Sequence, residues 1–326
     1  MENPEQVHID YNFRKAGFQD RDEIITICDE MGKDYLPRVI DNWLSMEKGG
    51  LYLLEDQDQN NNNIVAFCQI KFHTEDQAWL AGMRVRPDYQ NLGAGSVLTG
   101  KLAQKGGEEG ASFVRLTTTL DNYPAQKVGE KHGFYKNSRW RIFFHEELPA
   151  ENVIKSDEPR SKESKYRLTW QEFPCVKDWF EQCAAGKFEL ELGYNRKFLF
   201  LTDFTFVGLS SSEVQTLDDK TRYLLSVSGE DRISFLGEET SDSENRPVFA
   251  INKILFTDNE LQQGKGDRLD FPALIRALLL ELKAQGYWGY TIAIPYQLWV
   301  KHKEELTRFM PEDEGEAFYL MERSFK

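Results

Sequence analysis

The chain is poor in the residues that build metal centres and disulfide frameworks. Its four cysteines, Cys28, Cys68, Cys175 and Cys183, are scattered over 326 residues, and none stands in a Cys-x-x-Cys pair. The five histidines, His8, His73, His132, His145 and His302, are equally dispersed. These spacings exclude the usual zinc patterns, so buried free thiols and no metal are expected. Long apolar runs are missing too: a membrane span needs ~20 residues, and the best stretch, Ala273–Leu282, is interrupted by Arg276. The opening Met-Glu-Asn-Pro-Glu-Gln has neither the basic nor the apolar region of a signal peptide, which predicts a cytoplasmic protein with no membrane partner. Positive charge is in deficit, with 40 Lys and Arg against 54 Asp and Glu for a net −14. General nucleic-acid binding works by neutralising phosphates, and this balance argues against it. Composition is otherwise that of a soluble globular protein, at 40% apolar and 29% charged residues, and the length suits two domains.

Against these absences one stretch stands out. Gln90-Asn91-Leu92-Gly93-Ala94-Gly95 lies between the apolar run Ala78–Val85 and a helix expected to begin at Ser96. A strand feeding a glycine turn and then a helix describes an anion cradle. Glycine lacks a Cβ, so successive N–H groups can be aimed at one point, and the helix adds unpaired N–H groups and the positive end of its dipole. The P-loop spacing is absent. The dinucleotide fingerprint fails as well, because the loop has two glycines and follows some eighty residues of other structure. An isolated Gly-x-Gly is more often an ordinary turn than a ligand site.

Met83-Arg84-Val85-Arg86-Pro87-Asp88-Tyr89-Gln90-Asn91-Leu92-Gly93-Ala94-Gly95 resembles the strand and loop of the GNAT superfamily of N-acetyltransferases, whose loop reads Gln/Arg-x-x-Gly-x-Gly/Ala. Asn122, Ala125 and Gly133-Phe134-Tyr135 fall where family members carry Asn-x-x-Ala and Gly-Phe. The resemblance implies an α/β fold of the α+β type, a mixed sheet flanked by helices, with acetyl-CoA as co-substrate and no metal. Gln90, Asn91, Leu92, Gly93, Ala94, Gly95 and Ser96 would hold its pyrophosphate, Val85 its pantetheine arm, and Asn122 would face it. Met83 N–H would polarise the thioester carbonyl while an amine attacks directly, a device worth up to ~3–4 kcal/mol in other enzymes. Arg84, Arg86, Lys101 and Lys105 flank the loop and could make it locally basic. Lys101 and Lys105 could equally belong to a solvated helix face.

The sequence departs from the family at the acid and the base. The Tyr that many members carry four residues before Gly-Phe is here Gly129, and no Glu stands among Trp79, Leu80, Ala81 and Gly82. Deprotonating a Lys amine at pH 7 costs about 4–5 kcal/mol, against about 1.4 for a peptide α-amine and somewhat more for a free amino acid. A site without an obvious base therefore leans toward an α-amine. Gly32-Lys33-Asp34-Tyr35-Leu36-Pro37 with Trp43 resembles a segment of the histidine N-acetyltransferase family. That resemblance implies an amino-acid acceptor, with catalytic or pocket roles for Asp34 and Tyr35 and with Arg38, Arg84 or Arg86 pairing the carboxylate. A helix cap for Asp34 and a core aromatic for Tyr35 are the plainer alternatives. The competing functions are a protein or peptide acetyltransferase and a non-catalytic acetyl-CoA-binding scaffold.

The expected elements of the first half are strands at 11–15, 51–54, 64–73, 78–86, 112–119 and 138–145. Helices are expected from Asp20, over 37–46, from Ser96 and over 123–131. A catalytic domain is read at 8–150 and a polar linker at 151–165. A degenerate GNAT-like domain follows at 166–326, because strand 248–256, helix 271–284, strand 290–294, helix 297–309 and strand 317–324 repeat the order of Ala78–His145. Gln262-Gln263-Gly264-Lys265-Gly266 has the wrong Gln-to-Gly spacing, and Asp267 and Asp270 would repel phosphate. The helix 273–280, apolar around much of its circumference, is expected to be buried on more than one side.

Overall fold

The structure is a computed structural model that describes residues 9–32, 35–57, 63–145, 147–155, 166–173, 198–202, 205–209, 222–227, 233–242, 244–256, 270–311 and 315–325. They form two compact units, 1–137 with Leu320–Lys326, and Ser138–Tyr319. These divide the chain at points other than a linker at 151–165. Glu151–Lys155 is a short helix of the second unit, and the rest of that segment lies outside the described residues.

In the first unit the order is β1 (Tyr11–Lys15), α1 (Arg21–Glu30), α2 (Ile40–Leu44), β2 (Gly50–Asp56), β3 (Ile64–Thr74), β4 (Gln77–Val85), α3 (Ala94–Glu108), β5 (Phe113–Thr119), α4 (Tyr123–Lys131) and the start of β6 (Tyr135–His145). The helix expected over 37–46 is instead a 3₁₀ turn at Leu36–Arg38 followed by the five residues of α2. Pro37 sits at the start of that turn, where its missing N–H costs nothing. β1 to β4 pair antiparallel, and β4 pairs parallel with β5 across the α3 crossover. α1 turns Ile24, Ile27 and Cys28 onto Leu51, Leu53 and Phe67 of the sheet, all buried. Each such aliphatic side chain contributes roughly 1.5–3 kcal/mol.

The strand beside β5 comes from the far end of the sequence. β14 (Gly315–Ser324) delivers Leu320–Ser324 to this unit. Buried Arg115 of β5 donates through Nε to Glu322 at 2.6 Å and through Nη1 to Gln77, and Tyr135 donates its hydroxyl to the other Glu322 oxygen. Burial and Glu322 raise the Tyr135 phenol. Phe325 N–H closes the edge on the Ser112 carbonyl at 3.0 Å.

The second unit contains the rest of β6, then α5 (Glu151–Lys155), β7 (Leu168–Phe173), β8 (Phe198–Thr202), β9 (Thr205–Leu209), β10 (Arg222–Val227), β11 (Ile233–Ser241), β12 (Pro247–Phe256), α6 (Phe271–Ala284), β13 (Gly289–Pro295), α7 (Tyr296–Leu306) and the start of β14. Its sheet runs β6-β13-β12-β11-β10-β7, antiparallel except for β12 with β13, which are parallel and joined through α6. The apolar circumference of α6 is accounted for inside this unit. Leu274, Ile275, Leu278, Leu279 and Leu282 are fully buried in one cluster with Ile154 of α5, Phe249 of β12 and Ile292 of β13.

Candidate active site

The loop before α3 is built from two left-handed residues. Asn91 has φ 65° and Gly93 φ 92°, and Gly93 is the N-cap of α3, which therefore begins at Ala94, two residues before Ser96. No side chain caps this helix and no acidic residue lies in its first turn. Its first intrahelical bond is Val97 N–H to Gly93 O at 2.9 Å, so the N–H groups of Ala94, Gly95 and Ser96 keep their donors. Gln90, Asn91, Leu92 and Gly93 are exposed while Ala94 is buried, which roots the loop and leaves its rim open. Gly95 is held close to β4, its missing Cβ position 3.4 Å from Val85 and 3.8 Å from the Met83 sulfur. Gln90 donates to the Val85 carbonyl at 3.3 Å, tying rim to strand. The donors, the absent carboxylate and the open rim suit a pyrophosphate.

β4 carries the second feature. Its register on β3 jumps from Ala81 opposite Gln69 to Arg84 opposite Phe67, leaving Gly82 and Met83 as a bulge. Gly82 has φ 62°, and a Cβ there would lie 2.6 Å from the Trp43 ring and 2.9 Å from Leu36. The parallel pairing of β4 with β5 covers only Gln77–Trp79 with Phe113–Arg115, so the half of β4 that carries the bulge continues past its last β5 partner. Met83 and Val85, both half-buried, lie on that half. Tyr35 and Arg84 come together beside it. The Arg84 guanidinium donates to Met83 O at 2.9 Å and lies 5.9 Å from the Tyr35 ring centre, and Tyr35 meets Trp43 edge-on at 6.4 Å. Asp34 lies outside the described residues, and Arg38 is exposed on the 3₁₀ turn. Sequence reasoning passed over Gly82 as a functional position; a lone glycine inside a strand pattern was the available sign.

Residues 19–134 match the Acetyltransferase (GNAT) family. This segment is a GNAT acetyltransferase domain. It makes the chain an acetyl-CoA-dependent N-acetyltransferase. A candidate acetyltransferase from Pyrococcus horikoshii is similar over 100% of this chain and 93% of its own, at 15% identity and a TM-score of 0.53, a likeness of fold. A candidate acetyltransferase from Thermoplasma acidophilum aligns over 98% and 95% at 14% identity and a TM-score of 0.47. The ribosomal-protein-S18-alanine N-acetyltransferase of Escherichia coli aligns over 43% of this chain and 85% of its own, at 20% identity and a TM-score of 0.36. The curated proteins include no match.

In this GNAT domain the remaining site residues have physical explanations. Asn122 is the N-cap of α4, its Oδ1 accepting from Ala125 N–H at 3.2 Å, so the carbonyl half of its amide is already used. Gly129 cannot be the missing Tyr in disguise. A Cβ at 129 would stand 2.9 Å from the Met321 methyl, because the strand Leu320–Ser324 occupies that space. Ser96 shares a hydrogen bond of 2.9 Å with His132 Nε2. Burial, with Lys131 and Arg323 nearby, holds His132 below its ordinary range. Cys68 of β3 lies beside the bulge, its thiol donating to Ala81 O at 3.3 Å; burial pushes it up to about 12. A thiol so held is a poor nucleophile.

Of the flanking cations, Arg86 and Lys105 form ion pairs with carboxylates, and Arg84 is tied to Met83 O and the Tyr35 ring. Arg86 pairs with Glu23 at 3.1 Å, and Lys105 pairs with Glu109 at 2.6 Å. Helix α6, which follows β12 as α3 follows β4, is closed differently: Asp270 caps it, accepting from Ala273 N–H at 3.1 Å. Gln262–Gly266 and Asp267 lie outside the described residues, as do Cys175 and Cys183. Among the described residues no group of three or more His, Cys, Asp or Glu could hold a metal, and no helix is long and apolar enough to cross a membrane.

Proposed function

We propose that this acetyltransferase acetylates the α-amino group of a free amino acid, histidine being the leading candidate. The observation that carries the reading is Arg84 and Tyr35 gathered against the β4 bulge. The bulge leaves Met83 N–H outside the register with β3, available to a thioester carbonyl whose cofactor is anchored by the loop at Gln90–Ser96. The amine nitrogen bonds to the carbonyl carbon, the C–S bond breaks, and the amine proton is lost as the departing thiolate takes one up. Arg84 offers a planar fork to the acceptor carboxylate, and the Tyr35 ring flanks it. Asn122 presents its amide nitrogen toward the cofactor. The C-terminal half serves as a degenerate copy, a reading supported by the shared order of strand, helix, parallel strand and helix, and by the Asp270 carboxylate where a phosphate would sit.

The test is thiol release from acetyl-CoA with twenty free amino acids and their methyl esters. Losing a charge-assisted contact of about 1.5–3 kcal/mol, Arg84→Ala is expected to raise KM for the preferred free acid by ~10–100-fold and to leave its ester nearly unchanged. Acetylation of basic peptides with no turnover of any free amino acid overturns the reading.

A further inference from the structure

The C-terminal unit contains a cavity of ≈ 500 Å³ whose lining includes none of the residues assigned to acetyl transfer, walled chiefly by Trp170, Glu172, Tyr223, Glu239 and Tyr287. The sheet register brings these side chains together. Glu172 stands opposite Tyr223, and Tyr223 stands opposite Gly237, two residues before Glu239 on β11. Alternate residues share a face, so Trp170 and Glu172 project from β7 on the same side. The turn Gln285-Gly286 that ends α6 completes the wall.

The aromatic rings are held in place. Trp170 meets Tyr223 edge-on at 5.8 Å and lies nearly parallel to Tyr287 at 6.2 Å. The Trp170 indole N–H donates to Glu281 at 2.8 Å, and the Tyr287 hydroxyl donates to Glu239 at 2.5 Å. Among the described residues, the two carboxylates that face the cavity sit on exposed residues and no Lys or Arg lines it. Three independent features therefore favour positive charge: the electron-rich ring faces, two carboxylates, and the negative end of the α6 dipole. The same features repel anions, the phosphates of acetyl-CoA included. A hard metal ion would want six or more oxygens, which an aromatic wall does not supply. The volume is that of a small-ligand pocket.

We propose that this cavity binds an alkylammonium cation. The onium group lies against Trp170, Tyr223 and Tyr287, and Glu172 and Glu239 neutralise it. Isothermal titration of the full chain with choline, and with its uncharged carbon isostere 3,3-dimethylbutan-1-ol, tests the assignment. Choline is expected to bind at one site, and the isostere at least about tenfold more weakly. Glu172→Gln with Glu239→Gln keeps the Tyr287 acceptor and alters only exposed residues, so it should fold normally and lower choline affinity about tenfold or more. Acetyl transfer should be unchanged in that variant. Trp170→Leu should weaken choline as well. No saturable choline binding, equal binding of the isostere, or undiminished binding by the double glutamine variant overturns the proposal.

Discussion

Replacing Gly82 by alanine would separate the role proposed for the β4 bulge from that proposed for the loop before α3. The residue has φ 62°, and an added Cβ would stand 2.6 and 2.8 Å from two Trp43 ring carbons and 2.9 Å from Leu36. The left-handed backbone costs about 1–2 kcal/mol for a residue with a Cβ, and overpacking against Trp43 adds about 1–3 kcal/mol. Gly82→Ala should therefore lose about 2–5 kcal/mol in urea unfolding. Trp43→Leu in the alanine background should recover the packing part and not the backbone part. Relaxation of the bulge would draw Met83 N–H back toward β3, at a cost of ~10²–10³ in turnover if that group serves the oxyanion. Acetyl-CoA affinity, which the proposal assigns to the loop at Gln90–Ser96, should change little. Thiol release and titration calorimetry read the two separately. A folded Gly82→Ala protein with unchanged turnover, or one whose loss is matched by its loss of acetyl-CoA affinity, refutes the reasoning.

Two further perturbations probe one buried ionisable group in each unit. His145 is buried, stacked 4.6 Å from Tyr290, and burial pushes its pKa down to about 4. The unfolded chain takes up this proton near pH 6.5 and the folded one only near 4, so stability is complete above 6.5 and falls as pH drops through that window. The loss is about 3 kcal/mol. His145→Phe should flatten the slope between pH 7 and 4 in urea unfolding, and an unchanged slope would count against it. Glu322→Ala strands the buried Arg115 guanidinium and should cost about 3–5 kcal/mol, whereas Arg115→Met with Glu322→Leu should recover most of it. Thermal melts of the three proteins decide that prediction.

Local chemistry made much of the first unit legible. The apolar and polar alternation gave β1, β3 and β4 within a residue, and Asn122-Tyr123-Pro124 announced the start of α4. The turn before α3 was equally readable because its geometry depends on two left-handed positions close in sequence, Asn91 and Gly93. Asp270 could be read as the cap of α6 for the same reason. Contacts made at long range left no such trace. Nothing near Arg115 in sequence announces Glu322, 207 residues away, as its partner. Gly129 looked like a missing acid until Met321 was found in the space a side chain would need. The 37–46 stretch read as one helix because its apolar spacing survives a break between a 3₁₀ turn and α2. The aromatic cavity combines β7, β10, β11 and the end of α6, whose adjacency only the folded register supplies.

The seat of Leu320–Ser324 beside β5 has a bearing on how the protein is made. The acetyltransferase unit otherwise ends at residue 137, so its sheet waits for about 180 more residues to be synthesised. At ~5–20 residues per second that is roughly 10–40 s on the ribosome. Throughout that interval Arg115 lacks its carboxylate, and the flank of Gly129 that Met321 fills is bare. Until residues 320–324 are made, the partly built sheet carries a cation and an apolar flank without the groups that cover them in the finished fold.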